Sequence, residues 1–151
     1  MTDGTLRYVE AGAFASVVNR LAGWLVRHGV GLFGSRMLYV RGRKTGQWRG
    51  TPVNVLTVDG VRYLVAPRGH TQWVRNLRAA DGRGELRLGR RVEPFTAAEI
   101  PDADKPAVLR AYLRRWKWEV GAFFPGLGPD SADEDLLKAA PGYPVFRLTS
   151  G

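Results

Sequence analysis

Residues 41–52 read Arg-Gly-Arg-Lys-Thr-Gly-Gln-Trp-Arg-Gly-Thr-Pro, and this stretch decides how the middle of the chain folds. It lies between two apolar segments, residues 37–40 and 52–58, whose composition is typical of β-strands. Gly46 supplies the positive φ that a tight turn needs, and the Thr45 hydroxyl can bond its own backbone. The pattern predicts an antiparallel hairpin with a basic tip.

Four cations fall within the nine residues 41–49 of this hairpin. Because residues that face each other across a hairpin come close together, we expect Lys44 and Arg49 to converge on one anion. Two cations beside exposed backbone N–H groups favour a phosphate. Basic turn residues are more often simply solvated, so the motif alone leaves both interpretations open.

Composition describes an ordinary globular domain. The chain has 151 residues, of which 44% are hydrophobic and 25% are charged, and we expect a single domain spanning residues 1–151. The absence of cysteine excludes disulfides, thiolate metal sites and cysteine nucleophiles. The two histidines lie far apart in sequence without a carboxylate at metal-ligand spacing, so we expect no metal.

Positive charge is concentrated in the middle of the chain. Residues 36–92 hold 13 Lys/Arg and 3 Asp/Glu, a net of +10, whereas the other residues hold 10 and 11, a net of −1. Nucleic acid, an anionic lipid surface and a polyanionic small molecule are all suitable partners for such a segment.

The first 35 residues are predicted to form an N-terminal amphipathic helix. Between residues 14 and 28 the apolar side chains recur at helical spacing. This face either packs in the core, covers a ligand as a lid, or rests on a membrane surface. Asp3 and Glu10 precede any apolar run, so we expect no secretory signal but a cytoplasmic protein, with peripheral membrane contact left open.

The downstream chain predicts four more strands and three helices. Asp59-Gly60 is the strongest hairpin signal in the chain. The helices are expected to begin at Thr71, at Asp104 and at a Ser131–Glu134 capping box. The further strands are residues 61–66, 85–88, 92–100 and 144–148. This order predicts a mainly β (α+β) fold, an antiparallel barrel with helices on its open side.

No catalytic set of side chains stands out in the sequence. Arg68 follows the third strand, and the helix after Thr71 adds its N-terminal dipole at the same edge. Trp73, Asn76 and the later Trp116 can bound a flat ring. A phosphate site with aromatic walls and few acid–base groups indicates a cofactor that carries the chemistry.

An ordered set of residues resembles the deazaflavin-dependent nitroreductase family. The set consists of GRKTGQ at residues 42–47, Arg49, Pro52, Asp59-Gly60, Val65-Ala66, and Trp73 with Asn76-Leu77. The likeness covers residues 36–90. It implies a split β-barrel, similar in fold to the FMN-binding pyridoxamine-phosphate-oxidase-like barrels, that binds coenzyme F-420.

The resemblance also implies where the cofactor binds. The basic turn would hold its phosphate and carboxylate-bearing tail, and two backbone segments and the tryptophan helix would border the deazaflavin ring. The implied cofactor-binding residues are Arg43, Lys44, Thr45, Arg49, Gly50, Thr51, Pro52, Val53, Asn54, Ala66, Pro67, Arg68, Gly69, Gln72, Trp73, Val74, Arg75 and Asn76. The expected substrate-binding residues are Trp24, Trp116 and Phe123, and the proton would come from solvent or from Tyr112.

These implications predict an oxidoreductase that transfers a hydride from reduced coenzyme F-420 to a small electrophile, namely a quinone, an enone or a nitroaromatic. An FMN-binding barrel, a non-catalytic F-420 carrier and a basic nucleic-acid-binding module are the alternatives. FMN has only one phosphate, so its binding would leave most of the positive charge unexplained. The sequence has no nucleic-acid recognition motif, so we expect no nucleic acid as a partner. Monomer and homodimer are both open.

Three features depart from the family's pattern. Trp48 stands where a proline is usual, and the loop between Val65 and Trp73 is short. The tyrosine-rich patch used against quinones is not evident. The sequence therefore leaves the acceptor open.

Overall fold

The structure is a computed structural model, and it describes residues 35–150. The predicted N-terminal helix and its Trp24 lie outside the described residues.

Six antiparallel strands form a barrel, as predicted, and this barrel is closed rather than open on one side. They are β1 (Ser35–Arg41), β2 (Trp48–Val58), β3 (Val61–Val65), β4 (Arg83–Leu88), β5 (Arg91–Glu99) and β6 (Val145–Ser150). The order around the barrel is β1-β2-β3-β6-β5-β4, and β4 closes it by pairing with β1. The described helices are α1 (Gln72–Ala79), α2 (Lys105–Val120) and α3 (Asp133–Ala139).

The hairpin between β2 and β3 forms where the sequence predicts it. Asp59 and Gly60 both have positive φ, 51° and 79°. Two successive left-handed residues make the two-residue turn whose twist suits a hairpin. The register Val58↔Val61 and Leu56↔Tyr63 then follows from that turn.

Apolar side chains form two layers. Inside the barrel, Leu38, Val40 and Leu64 pack against one another, and Val74 and Leu77 of α1 enter from one end. Outside the barrel, α2 and α3 cover β2, β3 and β6. The buried side chains of that outer layer include Leu56, Val65, Leu109, Leu113, Trp116, Leu136 and Val145.

Because neighbouring strands run in opposite directions, each end of the barrel has its own set of turns and strand ends. The turn end holds the basic turn after Arg41, the end of β3 at Val65, and α1. The Ser35 end holds the start of β1 and the β4–β5 connection after Leu88. The turn end therefore holds the loop 66–69 and α1, which the resemblance assigns to the cofactor ring, whereas the third such segment, residues 50–54, runs along β2 as far as Asn54, opposite Ser35.

Two predicted helix caps make no side-chain cap bond. Asp104 is the N-cap residue of α2, as predicted, but its side chain does not cap the helix, because it ends the short 3-10 turn that leads directly into α2. The Ser131–Glu134 capping box does not form either, since α3 begins at Asp133. The Ser131 hydroxyl instead accepts a hydrogen bond from the Gly128 N–H at 2.9 Å.

Within residues 35–150 no helix is long and apolar enough to cross a membrane.

Candidate functional site

The basic turn is closed by its own backbone. The Gly42 N–H donates to the Gln47 carbonyl at 2.7 Å, and the Gly46 N–H donates to the Gly42 carbonyl at 2.8 Å. Gly46 has a φ of +75°, and the Thr45 hydroxyl accepts from the Gln47 N–H at 3.2 Å. Gly46 and Thr45 thus have the turn roles predicted from the sequence.

Trp48 supports this turn from outside the barrel. The Arg41 guanidinium lies 4.6 Å from the centroid of the Trp48 ring, and its Nη1 donates to the Gly46 carbonyl at 2.9 Å. On the neighbouring strand the Arg87 guanidinium lies 4.0 Å from the ring centroid of Tyr39 and 5.8 Å from that of Trp48. Such contacts stabilise by about 0.5–1 kcal/mol each at exposed sites. The tryptophan at this position therefore orients Arg41, which holds the turn.

Arg43 fastens the turn to α1. The Asn76 Oδ1 accepts from the Arg43 backbone N–H at 3.1 Å and from its Nη1 at 2.7 Å. Asn76 is buried, so its carbonyl has exchanged water for these two donors. The structure brings together two segments that lie 33 residues apart in the chain.

Lys44 and Arg49 lie at the same hairpin but in different parts of it. Arg49 is in β2, opposite Val40, and a Cβ at Gly42 would lie 3.3 Å from its Nε. Lys44 is exposed in the turn itself, so strand pairing does not set its distance to Arg49. Within residues 35–150 neither cation has an ion-pair partner, which leaves both available to an anion.

The loop between β3 and α1 is held to the barrel by main-chain bonds. The Ala66 N–H donates to the Pro144 carbonyl at 2.9 Å, and the Gly69 N–H donates back to Ala66 at 3.1 Å. Gly69 has a φ of +89°, and its carbonyl accepts from the Thr71 N–H at 2.9 Å. The loop is therefore compact where it meets the start of α1.

Thr71 is the N-cap of α1, as predicted, but its hydroxyl does not cap the helix. The Oγ1 atom is buried and has no hydrogen-bond partner among the described residues. A buried hydroxyl without a partner costs about 1–3 kcal/mol. A polar ligand group at the positive end of the α1 dipole would satisfy it, so this position fits a polar ring edge or an anion.

His70 anchors the same loop on its other side. Its Nδ1 lies 2.9 Å from the Arg78 Nη1, and its Nε2 lies 3.2 Å from the Pro141 carbonyl. Because arginine only donates, Nδ1 accepts and Nε2 carries the proton. Burial lowers the pKa of His70, and the positive charge of Arg78 lowers it further. Arg78 is in turn paired with Glu99 at 2.6 Å.

The sequence gives no signal for this histidine. Its acceptor carbonyl is 71 residues away in the chain, and no local spacing reports such a contact.

Two predicted strand residues have structural contacts of their own. A Cβ at Gly50 would lie 2.8 Å from the Tyr39 Cζ, so glycine leaves the room that the tyrosine ring fills. The Asn54 side chain accepts from the Ser35 hydroxyl at 3.0 Å and donates to Glu119 at 3.2 Å. A cofactor ring along this strand would therefore contact backbone groups more than these side chains.

The other predicted cofactor residues differ in exposure. Val53 packs against the barrel core, Val74 is fully buried there, Ala66 is buried and Gln72 is exposed. The half-buried members of the set are Thr51, Pro52, Pro67, Arg68, Trp73 and Arg75. The Trp73 ring lies 5.9 Å from the ring of Phe146.

Tyr112 and Trp116 lie in the core beneath α2. Their ring centroids are 5.2 Å apart, and both side chains are almost fully buried. Burial raises the pKa of Tyr112 far above its usual value, and the charge of Glu119 adds to this. Phe123 is half-buried, and its carbonyl accepts from the Tyr143 hydroxyl. These surroundings favour core roles for Tyr112 and Trp116 over a proton donor and a substrate wall.

The closed antiparallel barrel with helices packed against it is consistent with the split β-barrel class of folds. The family model described as F-420H(2)-dependent quinone reductase matches residues 14–119 of the chain. That match spans 106 of the 151 residues, so the chain belongs to this family of enzymes. No curated protein matches the sequence significantly.

Solved structures share the fold at low sequence identity. An F-420-H(2)-dependent reductase, FDR-A, is 19% identical with a TM-score of 0.51, and the match covers 77% of this chain and 94% of that one. A structure described as a domain-swapped dimer is 17% identical with a TM-score of 0.54, covering 91% of this chain and 100% of that one. A protein of unknown function from Agrobacterium tumefaciens is 19% identical with a TM-score of 0.54, covering 96% and 58%.

Proposed function

We propose that this protein transfers a hydride from reduced coenzyme F-420 to a quinone or to a related small electrophile, an enone or a nitroaromatic. Membership in the quinone reductase family supports both the cofactor and the reaction type. The observation that carries the proposal is the double hydrogen bond between Arg43 and Asn76, which fixes the basic turn against α1.

The cofactor's tail would be held by Arg43, Lys44, Thr45 and Arg49. A tail with a phosphodiester and glutamates is a polyanion, and charge-assisted hydrogen bonds to arginine are short and strong. Because Asn76 already holds one nitrogen of the Arg43 guanidinium, less side-chain entropy is lost when the others bind the anion. Lys44 and Arg49 add charge from the turn and from β2.

The deazaflavin ring would lie along residues 50–54 and 66–69, with Trp73 at its side. The unpartnered Thr71 hydroxyl and the first N–H groups of α1 are suitable donors for a polar ring edge. Coenzyme F-420 supplies the hydride when bound, and the chain's task is to orient the acceptor over the ring and to exclude water.

The proton for the reduced acceptor would come from solvent. Tyr112 is buried and its pKa is raised, so its hydroxyl stays protonated. Both nitrogens of His70 are engaged by Arg78 and the Pro141 carbonyl. Neither group supports a proton-donor role.

Titration of the purified protein with coenzyme F-420, FMN and single-stranded DNA at two salt concentrations tests the cofactor. We expect saturable F-420 binding that falls at least tenfold in Lys44→Ala/Arg49→Ala. Arg147→Ala removes an exposed cation from β6 and is the matched control. If the protein bound only DNA, with a steep salt dependence, the proposal would be excluded. If it bound FMN more tightly than F-420, the cofactor would be FMN.

Turnover separates an enzyme from a carrier. Oxidation of reduced F-420 is followed with menadione, an enone and a nitroimidazole as acceptors. The acceptor that gives the highest kcat/KM identifies the preferred class. Intact F-420 binding without oxidation by any acceptor would support the carrier alternative instead.

Cytoplasmic location, membrane contact through the N-terminal residues, and the choice between monomer and homodimer stay predictions of the sequence.

A further inference from the structure

A cavity of about 360 Å³ opens at the Ser35 end of the barrel. Arg36, Arg62, Arg91 and Arg115 line it together with Glu93 and Thr57. Thr57 lies eight residues beyond Arg49 along β2, which is about 25 Å at roughly 3.3 Å per residue. The cavity is therefore at the opposite end of the barrel from the basic turn, and none of its lining residues belongs to the cofactor-binding set given above.

The described lining carries four positive charges and one negative charge. Glu93 is already paired with Arg62. The Arg62 Nη1 donates to the Glu93 Oε1 at 3.0 Å, and the Arg62 Nη2 donates to the Glu93 Oε2. The hydrogen bond from Arg62 and the nearby charges of Arg62, Arg36 and Arg91 hold the pKa of Glu93 below its usual value. Glu93 is thus ionised, and both of its oxygens accept from Arg62.

The other three arginines have no ion-pair partner within residues 35–150. Arg36 donates to the Ser35 carbonyl at 2.8 Å, and Arg115 lies against the Trp116 ring at 4.8 Å. Like charges that share a partly enclosed space repel one another more than they do in bulk water. An anion in the cavity would remove that repulsion.

The inner wall of the cavity is apolar. Val55 and Leu86 belong to the buried barrel core, and Leu88 and Val92 continue the apolar surface outward. An inorganic anion would leave most of the volume unfilled and this surface uncovered. A neutral apolar molecule would leave three of the four arginines without an ion-pair partner within residues 35–150. The two features together fit an anion with an apolar body.

We propose that this cavity binds a small organic carboxylate, with Arg36 and Arg91 contacting the carboxylate and Val55 and Leu86 contacting the apolar part.

Calorimetric titration of the full chain with octanoate, 1-octanol and inorganic phosphate tests the proposal. We expect octanoate to bind at one site, at least tenfold more tightly than either octanol or phosphate. Saturating the protein with coenzyme F-420 should leave octanoate affinity unchanged, because the cavity shares no lining residue with the proposed cofactor site. This measurement distinguishes octanoate binding in the cavity from octanoate binding at the proposed cofactor site.

Variants and amide chemical shifts locate the site. Arg36→Gln/Arg91→Gln should weaken octanoate at least tenfold, whereas Arg147→Gln on β6 should not change it. In the unmodified protein, octanoate should shift the amide resonances of Thr57, Leu86 and Val92. This second measurement does not depend on the folding of any variant.

Several outcomes would overturn the assignment. Equal binding of octanol shows that the arginines are not used, and equal binding of phosphate shows that the apolar wall is not used. Displacement of octanoate by F-420, shifts confined to the turn end, or no saturable binding would each exclude this cavity as the site.

Discussion

Asn76 and Arg43 are joined by two hydrogen bonds to one oxygen, from the Arg43 backbone N–H at 3.1 Å and from its Nη1 at 2.7 Å. The backbone bond fixes the start of the turn, and the side-chain bond fixes the direction of the guanidinium. One buried amide on α1 therefore sets the position of a strand turn and of the Arg43 guanidinium in it.

Asn76→Ala should weaken both the fold and cofactor binding. It removes the acceptor of both Arg43 hydrogen bonds, one of which comes from a charged group, and we expect the free energy of unfolding to fall by about 1–3 kcal/mol. F-420 affinity should fall about tenfold, because the turn loses its attachment to α1. Chemical denaturation and F-420 titration measure the two effects.

Ser131→Ala is the control for that loss of stability. It removes the hydrogen bond that the Ser131 hydroxyl accepts from the Gly128 N–H, in a loop of the outer layer. We expect a smaller loss of stability with unchanged F-420 affinity. If Asn76→Ala bound F-420 normally, the turn would not need α1 for binding.

Gly50→Ala should destabilise the barrel through Tyr39. The added Cβ would lie 2.8 Å from Tyr39 Cζ and 3.1 Å from Met37 Cε, closer than carbon atoms normally approach. Overpacking costs about 1–3 kcal/mol in a core, and at this exposed glycine, where the half-buried Tyr39 ring must shift, we expect the lower end of that range. In a double-mutant cycle, Tyr39→Ala should remove most of the added cost of the alanine at position 50. Additive losses in the cycle would mean that another contact of Gly50 is responsible.

Local turn chemistry is the part of this fold that the sequence reports well. Gly46 and Gly60 sit where the backbone requires positive φ, and the alternation of the flanking strands sets the register. The cap predicted at Ser131 fails because another local turn, closed by the Gly128 N–H, uses the same hydroxyl. A local sequence pattern indicates which hydrogen bonds can form, but it does not show which of two competing bonds is the more stable.

Long-range partners are the part that the sequence does not report. The hydrogen bond that holds the site together joins Arg43 to Asn76, which lies 33 residues later in the chain. No sequence spacing predicts that these two residues are in contact. Family resemblance placed both residues in one site without indicating that they touch. Their contact follows from the closure of the barrel, which brings α1 under the turn.

His70 should make stability depend on pH below neutrality. Burial lowers its pKa in the folded protein from the ordinary value of 6.5, and Arg78 and Lys105 act in the same direction, while the Pro141 carbonyl and Glu99 oppose them. The folded state therefore binds a proton less readily than the unfolded state. Its contribution to stability is complete above pH 6.5 and is lost as the pH falls through the lowered pKa.

Urea denaturation between pH 5 and 8 measures this dependence. His70→Gln cannot take up the proton, so its loss of stability on acidification should be smaller than in the unmodified protein. Parallel curves for the two proteins would assign the pH dependence to other groups.

Thr71→Val separates stability from binding at the start of α1. Valine has nearly the shape of threonine but no hydroxyl, and in the free protein the Thr71 Oγ1 is buried without a partner among the described residues. Its removal should therefore leave stability unchanged or raise it by about 1 kcal/mol. F-420 affinity should fall three- to tenfold if the hydroxyl donates to the ring, whereas Thr71→Ser, which keeps the hydroxyl, should bind normally. A valine variant that is more stable and binds F-420 as tightly as threonine would show that the hydroxyl contacts no part of the cofactor.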